Sequence, residues 1–235
     1  MRAVWYDRTG PARDVLQLGE HPTPQAGQGQ VLIAVKASGV NPSDVGMRGG
    51  VSGAPMAYPK IIPHSDGAGV VEAVGPGVSA SWIGRRVWFY NGQRNGRAFG
   101  AAAEYIELDV DLIRPLPDEV SLAEGATLGI PCMTAHRALF LAGPVQGRTV
   151  LVTGGAGAVG HYAVQLAKWA GATVIATVSN ADKAERARAG GADHTIDYRR
   201  EDVAARVRDL TGGQGVHHVV EVDFGGNAAS TLASV

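Results

Sequence analysis

Thr149-Val150-Leu151-Val152-Thr153-Gly154-Gly155-Ala156-Gly157-Ala158-Val159-Gly160 is the stretch whose reading decides the fold. An apolar, β-branched run of this kind reads as a buried strand, and the glycines behind it lead into a helix from Ala158 to Ala170. Gly155, Gly157 and Gly160 fit G-x-G-x-x-G. In a dinucleotide-binding turn the first glycine permits the bend, the second lets a pyrophosphate approach the backbone, and the third lets helix pack on strand. Ala158, Val159 and Gly160 then open a helix whose unbonded N–H groups and positive dipole end point at phosphate. A tight structural turn without a ligand is the plainer alternative.

Downstream the pattern repeats as strand, helix, strand, helix. Thr173 to Val178 reads as a strand, Asp182 to Ala189 as a helix, and His194-Thr195-Ile196 as a short strand. Glu201 to Leu210 follows as a helix and His217 to Val222 as a strand. Such alternation requires right-handed crossovers and produces a parallel, doubly wound sheet. The end of the second strand discriminates between cofactors, because an enzyme using NAD places Asp or Glu there for the ribose 2′-hydroxyl. Ala176-Thr177-Val178-Ser179-Asn180 has no carboxylate, Ser179 offers a hydroxyl, and Lys183 stands one turn into the next helix. Hydroxyl plus cation suits a 2′-phosphate, so NADPH is the expected cofactor. The alternative makes Ser179 a helix N-cap and Lys183 a solvated surface lysine.

Upstream the text is strand-like. Val31 to Ala37, Gly69 to Val74, Arg86 to Tyr90 and Ala103 to Leu108 are short and bounded by Gly, Pro or Asn, which suggests a small β-barrel-like domain with few helices. Gly67, Gly69, Gly75 and Gly77 are read as shaping its turns. Ser121-Leu122-Ala123-Glu124 has capping-box spacing and marks the change of pattern, giving domains 1–120 and 121–235.

Composition narrows the function classes. The 235 residues carry a formal net charge of −1, with 45% hydrophobic and 18% charged residues, which offers no electrostatic basis for a nucleic-acid or anionic-membrane partner. Glycine, at 33 residues, is roughly twice its usual share. The single cysteine, Cys132, excludes an internal disulfide and a multi-thiolate metal site, and fits a reducing compartment. The start, Met1-Arg2-Ala3-Val4-Trp5-Tyr6-Asp7, lacks a signal-peptide core, and no apolar run of about 20 residues exists to span a membrane. A cytoplasmic location is expected.

Three further stretches, together with the glycine turn, carry a family resemblance: Gly39-Val40-Asn41-Pro42-Ser43-Asp44, then Asp66-Gly67-Ala68-Gly69-Val70-Val71-Glu72-Ala73-Val74-Gly75, then Gly129 to Leu139. From Met1 to about Gly226 the chain resembles the medium-chain dehydrogenase/reductase superfamily, within it the zinc-free NADPH:quinone oxidoreductases of zeta-crystallin type. The resemblance implies an α/β architecture, an N-terminal GroES-like β-barrel domain followed by a doubly wound Rossmann sheet. It implies that Asn41 and Thr134 lie near the nicotinamide, that Asp44 shapes the same floor, and that Lys183 and Tyr198 clasp the 2′-phosphate. Asn41 before Pro also suits a turn, and Asp44 a helix cap. Two departures stand out: Gly155 where many relatives carry Ala, and Gly46 where close relatives carry a tyrosine, which opens the acceptor side.

The catalytic zinc ligands of zinc alcohol dehydrogenases correspond here to Asn41, Ser65 and Ile130, none of them a thiolate or imidazole. A catalytic zinc wants about three such ligands, so no metal is expected. His64 reads as a packed turn histidine, and His217-His218 as part of an apolar strand.

Hydride transfer from NADPH to a quinone in the interdomain cleft is the function so implied. Reduction of α,β-unsaturated ketones, aldehydes or enoyl thioesters, and a non-catalytic NADPH-binding role, are the alternatives. The sheet shows four strands where a dinucleotide sheet normally has six, so the chain is expected to be truncated at its C-terminal end. The resemblance implies that the full-length form is a homodimer.

Overall fold

The computed structural model describes all 235 residues except Ser52 and Asn95. Two compact units divide the chain, Met1–Ile130 and Pro131–Val235.

The first unit holds β1 (Arg2–Trp5), α1 (Ala12–Val15), β2 (Gln17–Glu20), β3 (Gln30–Gly39), α2 (Pro42–Gly49), β4 (Asp66–Val74), β5 (Arg86–Phe89), β6 (Tyr105–Asp109), β7 (Ile113–Pro115) and α3 (Leu122–Gly125). Five strands form an antiparallel sheet in the order β6-β3-β4-β5-β7, and β1 pairs with β2 beside it. Val31, Ile33, Val71, Val87, Phe89, Ile106, Leu108 and Ile113 form its dry core, each side chain stabilising the fold by about 1.5–3 kcal/mol through burial. Gly67 and Gly69 lie inside β4 rather than in turns. A Cβ on Gly67 would lie 2.3 Å from Phe89, and one on Gly69 2.2 Å from the Ala34 carbonyl oxygen, so close packing claims both positions.

Residues 42–49 form a helix, one of the few expected in this half, with Asp44 in its first turn. A further difference from the sequence reading arises here. The division falls after Ile130 rather than after 120. Ala68, Leu116 and Ala126 share one apolar cluster, and the capping box of Ser121 and Glu124 starts a helix that packs on the first unit's strands.

The second unit holds α4 (Met133–Phe140), β8 (Thr149–Val152), α5 (Ala158–Trp169), β9 (Thr173–Val178), α6 (Ala181–Ala189), β10 (His194–Asp197), α7 (Val203–Leu210), β11 (His218–Val220) and α8 (Phe224–Ala233). Its four strands are all parallel, in the order β10-β9-β8-β11, the dinucleotide-binding order 3-2-1-4. Both faces are buried, which explains the unbroken apolar runs. Val150, Val152, Val174 and Ala176 face one layer; Leu151 and Ile175, one residue out of phase, face another with Ile196 and Val207. Among the described residues no helix is long and apolar enough to cross a membrane.

Candidate functional site

In the second unit the chain turns at once after β8. Gly154 takes the bend with φ +62°, and its N–H donates to Thr177 Oγ1 at 3.0 Å. The bend therefore falls one residue before the Gly155 expected for it. Gly155 has a different job: a Cβ there would stand 2.6 Å from the Cβ of Ala176 in β9, so neighbouring strand and turn touch only because it has none. Gly157 caps α5 with extended backbone (φ −75°, ψ 171°) and donates its N–H to the Gly154 carbonyl at 2.8 Å. A Cβ on Gly160 would lie 2.2 Å from that same Gly154 oxygen, so the third glycine lets the helix close on the turn. Ala158 and Val159 complete the first turn, where helix N–H groups have no intrahelical partner and favour an anion.

At the end of β9 the structure brings three expected residues together. Ser179 is buried, and its Oγ accepts from Lys183 Nζ at 3.0 Å. The N-cap of α6 is Asn180, whose Oδ1 accepts the Lys183 N–H at 2.9 Å. Ser179 is thus not the cap, and Lys183, exposed on the first turn of α6, reaches back to its hydroxyl. Tyr198 follows β10, half-exposed, and its N–H donates to Val178 at 3.1 Å, which sets it beside Ser179. A cavity of about 190 Å³ opens here, lined by Thr153, Gly154, Thr177, Tyr198 and Val222 among others. Close-approach glycines, an open helix start and a hydroxyl–ammonium pair without a carboxylate on residues 176–180 fit a dinucleotide bearing a 2′-phosphate.

The first unit builds a different cluster. Antiparallel pairing sets Gly39, the last residue of β3, opposite Asp66, the first of β4. Asn41, two residues on, caps α2 with Pro42 at the first helical position. Its backbone N–H donates to Asp44 Oδ2 at 2.8 Å, and its side-chain Nδ2 to Asp66 Oδ2 at 2.8 Å. Ile130 donates its N–H to the same Asp66 oxygen at 2.8 Å. All three polar side chains are buried. Burial raises the proton affinity of Asp44 above the ordinary carboxylate value, against the opposing pull of the Asn41 N–H. Burial raises that of Asp66 too, against the pull of Ile130 and Asn41. His64 lies in the left-handed region with φ +79°, its Nδ1 2.8 Å from Ser38 Oγ, and burial lowers its proton affinity despite the nearby Asp44 charge.

Asp44 is therefore a helix-start carboxylate, and one N–H of the Asn41 amide is already engaged. A side-chain hydrogen bond from Asn41 adds to its backbone N–H in lowering the proton affinity of Asp44. Thr134 lies in the second unit, exposed on the first turn of α4. Asp66, an acid heading the apolar strand β4, is central to this cluster although the sequence motif gives it no role. Of the positions matching zinc ligands, Asn41 and Ile130 donate to Asp66, and Ser65 Oγ donates to the Gln93 carbonyl at 3.2 Å. Among the described residues no group of three His, Cys, Asp or Glu could hold a metal ion.

Comparison with known proteins agrees with both units. Residues 27–118 match the alcohol dehydrogenase GroES-like domain, and residues 158–232 match the zinc-binding dehydrogenase domain. Quinone oxidoreductase of Rattus norvegicus is 34% identical over 237 residues, spanning 99% of this chain and 69% of the relative. The 2-haloacrylate reductase of a Burkholderia species is 37% identical over 227 residues, spanning 94% of this chain and 66% of the relative. A mycobacterial protein solved in complex with NADPH superimposes with a TM-score of 0.85 at 36% identity, over 100% of this chain and 71% of its own. With a GroES-like domain before a Rossmann-like parallel sheet and these relatives along nearly its whole length, the chain belongs to the medium-chain dehydrogenase/reductase family, among its quinone oxidoreductase-like members.

Proposed function

We propose that the protein is an NADPH-dependent, zinc-independent reductase that passes a hydride to quinones. The observation that carries the cofactor assignment is the Lys183–Ser179 pair, 3.0 Å apart at the end of β9, the strand end that carries the ribose partner in a dinucleotide-binding sheet. Similarity to a protein solved with NADPH supports it. NADPH supplies the hydride when bound. The chain's part is to bind and orient: Gly155, Gly157, Ala158, Val159 and Gly160 take the pyrophosphate, while Ser179, Lys183 and Tyr198 take the 2′-phosphate. Asn41 and Thr134 position the nicotinamide and acceptor, and Asp44 holds the Asn41 backbone in place. Zinc independence is supported by the donor set, since an amide, a hydroxyl and an apolar side chain replace the ligands a catalytic zinc needs. A quinone suits such a site because its reduced anion is stabilised by resonance and needs little help from an acid.

Similarity to 2-haloacrylate reductase favours a second reading, reduction of an activated carbon–carbon double bond. An acceptor panel followed by loss of NADPH absorbance separates the two. The quinone reading expects turnover with ortho-quinones and naphthoquinones. Turnover with enones or acrylates and none with quinones would overturn it.

A further inference from the structure

Glu221 leaves the end of β11 and gathers four donors. Its Oε1 accepts from Thr153 Oγ1 at 2.9 Å, from the Asp223 N–H at 2.7 Å and from Asn227 Nδ2 at 3.0 Å. Its Oε2 accepts from Thr231 Oγ1 at 2.7 Å. Thr153 Oγ1 in turn receives the Val222 N–H at 3.1 Å. Burial alone would raise the proton affinity of this carboxylate, but the bonds from Thr231, Asn227, Asp223 and Thr153 outweigh it and hold the group below its ordinary value, so it is ionised at neutral pH.

These partners come from the end of β8, from the β11–α8 connection and from α8 itself. Thr153 is the residue before Gly154, and Asn227 and Thr231 lie on α8. Val222 Cγ2 stands 3.4 Å from where a Cβ on Gly154 would be, so the loop between β11 and α8 rests against the turn. Thr153, Gly154, Val222 and Asp223 share the lining of the cavity of about 190 Å³. A carboxylate suits this position because its two oxygens accept all four bonds; a glutamine offers one acceptor oxygen and two donors, and an alanine offers nothing.

We infer that Glu221 is a positioning residue for the dinucleotide, clamping the β11–α8 loop against the Gly154 turn through Thr153 and Val222 and so holding the mouth of the nucleotide cavity at its binding width. The inference rests on the proposed binding of NADPH. Without the clamp the loop must be ordered when the cofactor arrives, and that ordering is drawn from the binding energy. The site's donors to the 2′-phosphate, Ser179 and Lys183, are not among the partners of Glu221, so the loss falls equally on NADPH and NADH.

The test is titration of the full chain with NADPH and, separately, with NADH, read by nucleotide fluorescence well below the melting temperature. Glu221→Ala is expected to raise both dissociation constants about tenfold, with their ratio unchanged and with Glu221→Gln falling between alanine and wild type. A merely structural role would lower the melting temperature and leave the dissociation constant of the folded protein where it was; that result overturns the inference. A change in the NADPH-to-NADH ratio also overturns it, because Glu221 would then act at the 2′-phosphate. Should Glu221→Ala fail to fold, Thr231→Val removes a single donor, and an unchanged affinity for both nucleotides in that variant overturns the clamp. Failure of the wild type to bind either nucleotide would overturn the NADPH reading itself, a result distinct from all of these.

Discussion

Asp66 Oδ2 is shared by Asn41 Nδ2 and the Ile130 N–H, each at 2.8 Å, while its Oδ1 is buried with no hydrogen-bond partner among the described residues. The carboxylate binds its proton more tightly folded than unfolded because burial outweighs the two donors. Its contribution to stability is therefore complete below the ordinary carboxylate value and is lost as the pH rises through the raised one. Asp66→Asn keeps one acceptor oxygen for both donors and carries no charge. The melting temperature of Asp66→Asn relative to wild type should increase between about pH 4 and pH 7. A difference that is flat or that narrows with rising pH would refute the buried-charge account.

Lys183→Ala should remove most of a preference for NADPH over NADH, weakening NADPH by about five- to tenfold, the scale of one charge-assisted bond at an exposed site. NADH affinity should stay within about twofold. Parallel fluorescence titrations check this, and a preference that survives the change rules out Lys183 as the 2′-phosphate ligand.

Two glycines of the same turn should behave differently. Gly160→Ala forces a Cβ to 2.2 Å from the Gly154 oxygen and should cost about 1–3 kcal/mol in stability. Gly157→Ala meets only that oxygen at 3.2 Å, so the fold should survive while NADPH affinity falls. Denaturant melts paired with nucleotide titration would show stability lost in one variant and binding lost in the other.

Gly46 sits inside α2, and a Cβ there meets nothing within 4 Å. Gly46→Ala should stabilise the protein by about 0.5–1 kcal/mol, the difference in helix propensity. A loss of stability in urea unfolding would mean that this helix needs the glycine.

The parallel sheet was legible in the sequence because alternation of strand and helix is local and repeated. The first unit was harder to read, since Gly46 and Gly49 mask α2 and strand pairs such as β3 with β4 join residues far apart in the chain. Ser179 and Lys183 could be found because they stand one helical turn apart. Asp66 and Glu221 were harder to read as hubs, because one partner of each, Ile130 and Thr153, lies 64 and 68 residues away along the chain. The bend falls at Gly154 with φ +62°, one residue before Gly155, whose missing Cβ is required instead by Ala176 in the neighbouring strand.

The Asp66 hub draws its donors from residues 1–130, and the Glu221 hub draws its donors from residues 131–235. With no partner in common, the two hubs can be altered one at a time, so a substitution in a lineage that loosens the bonds on Glu221 leaves those on Asp66 as they are.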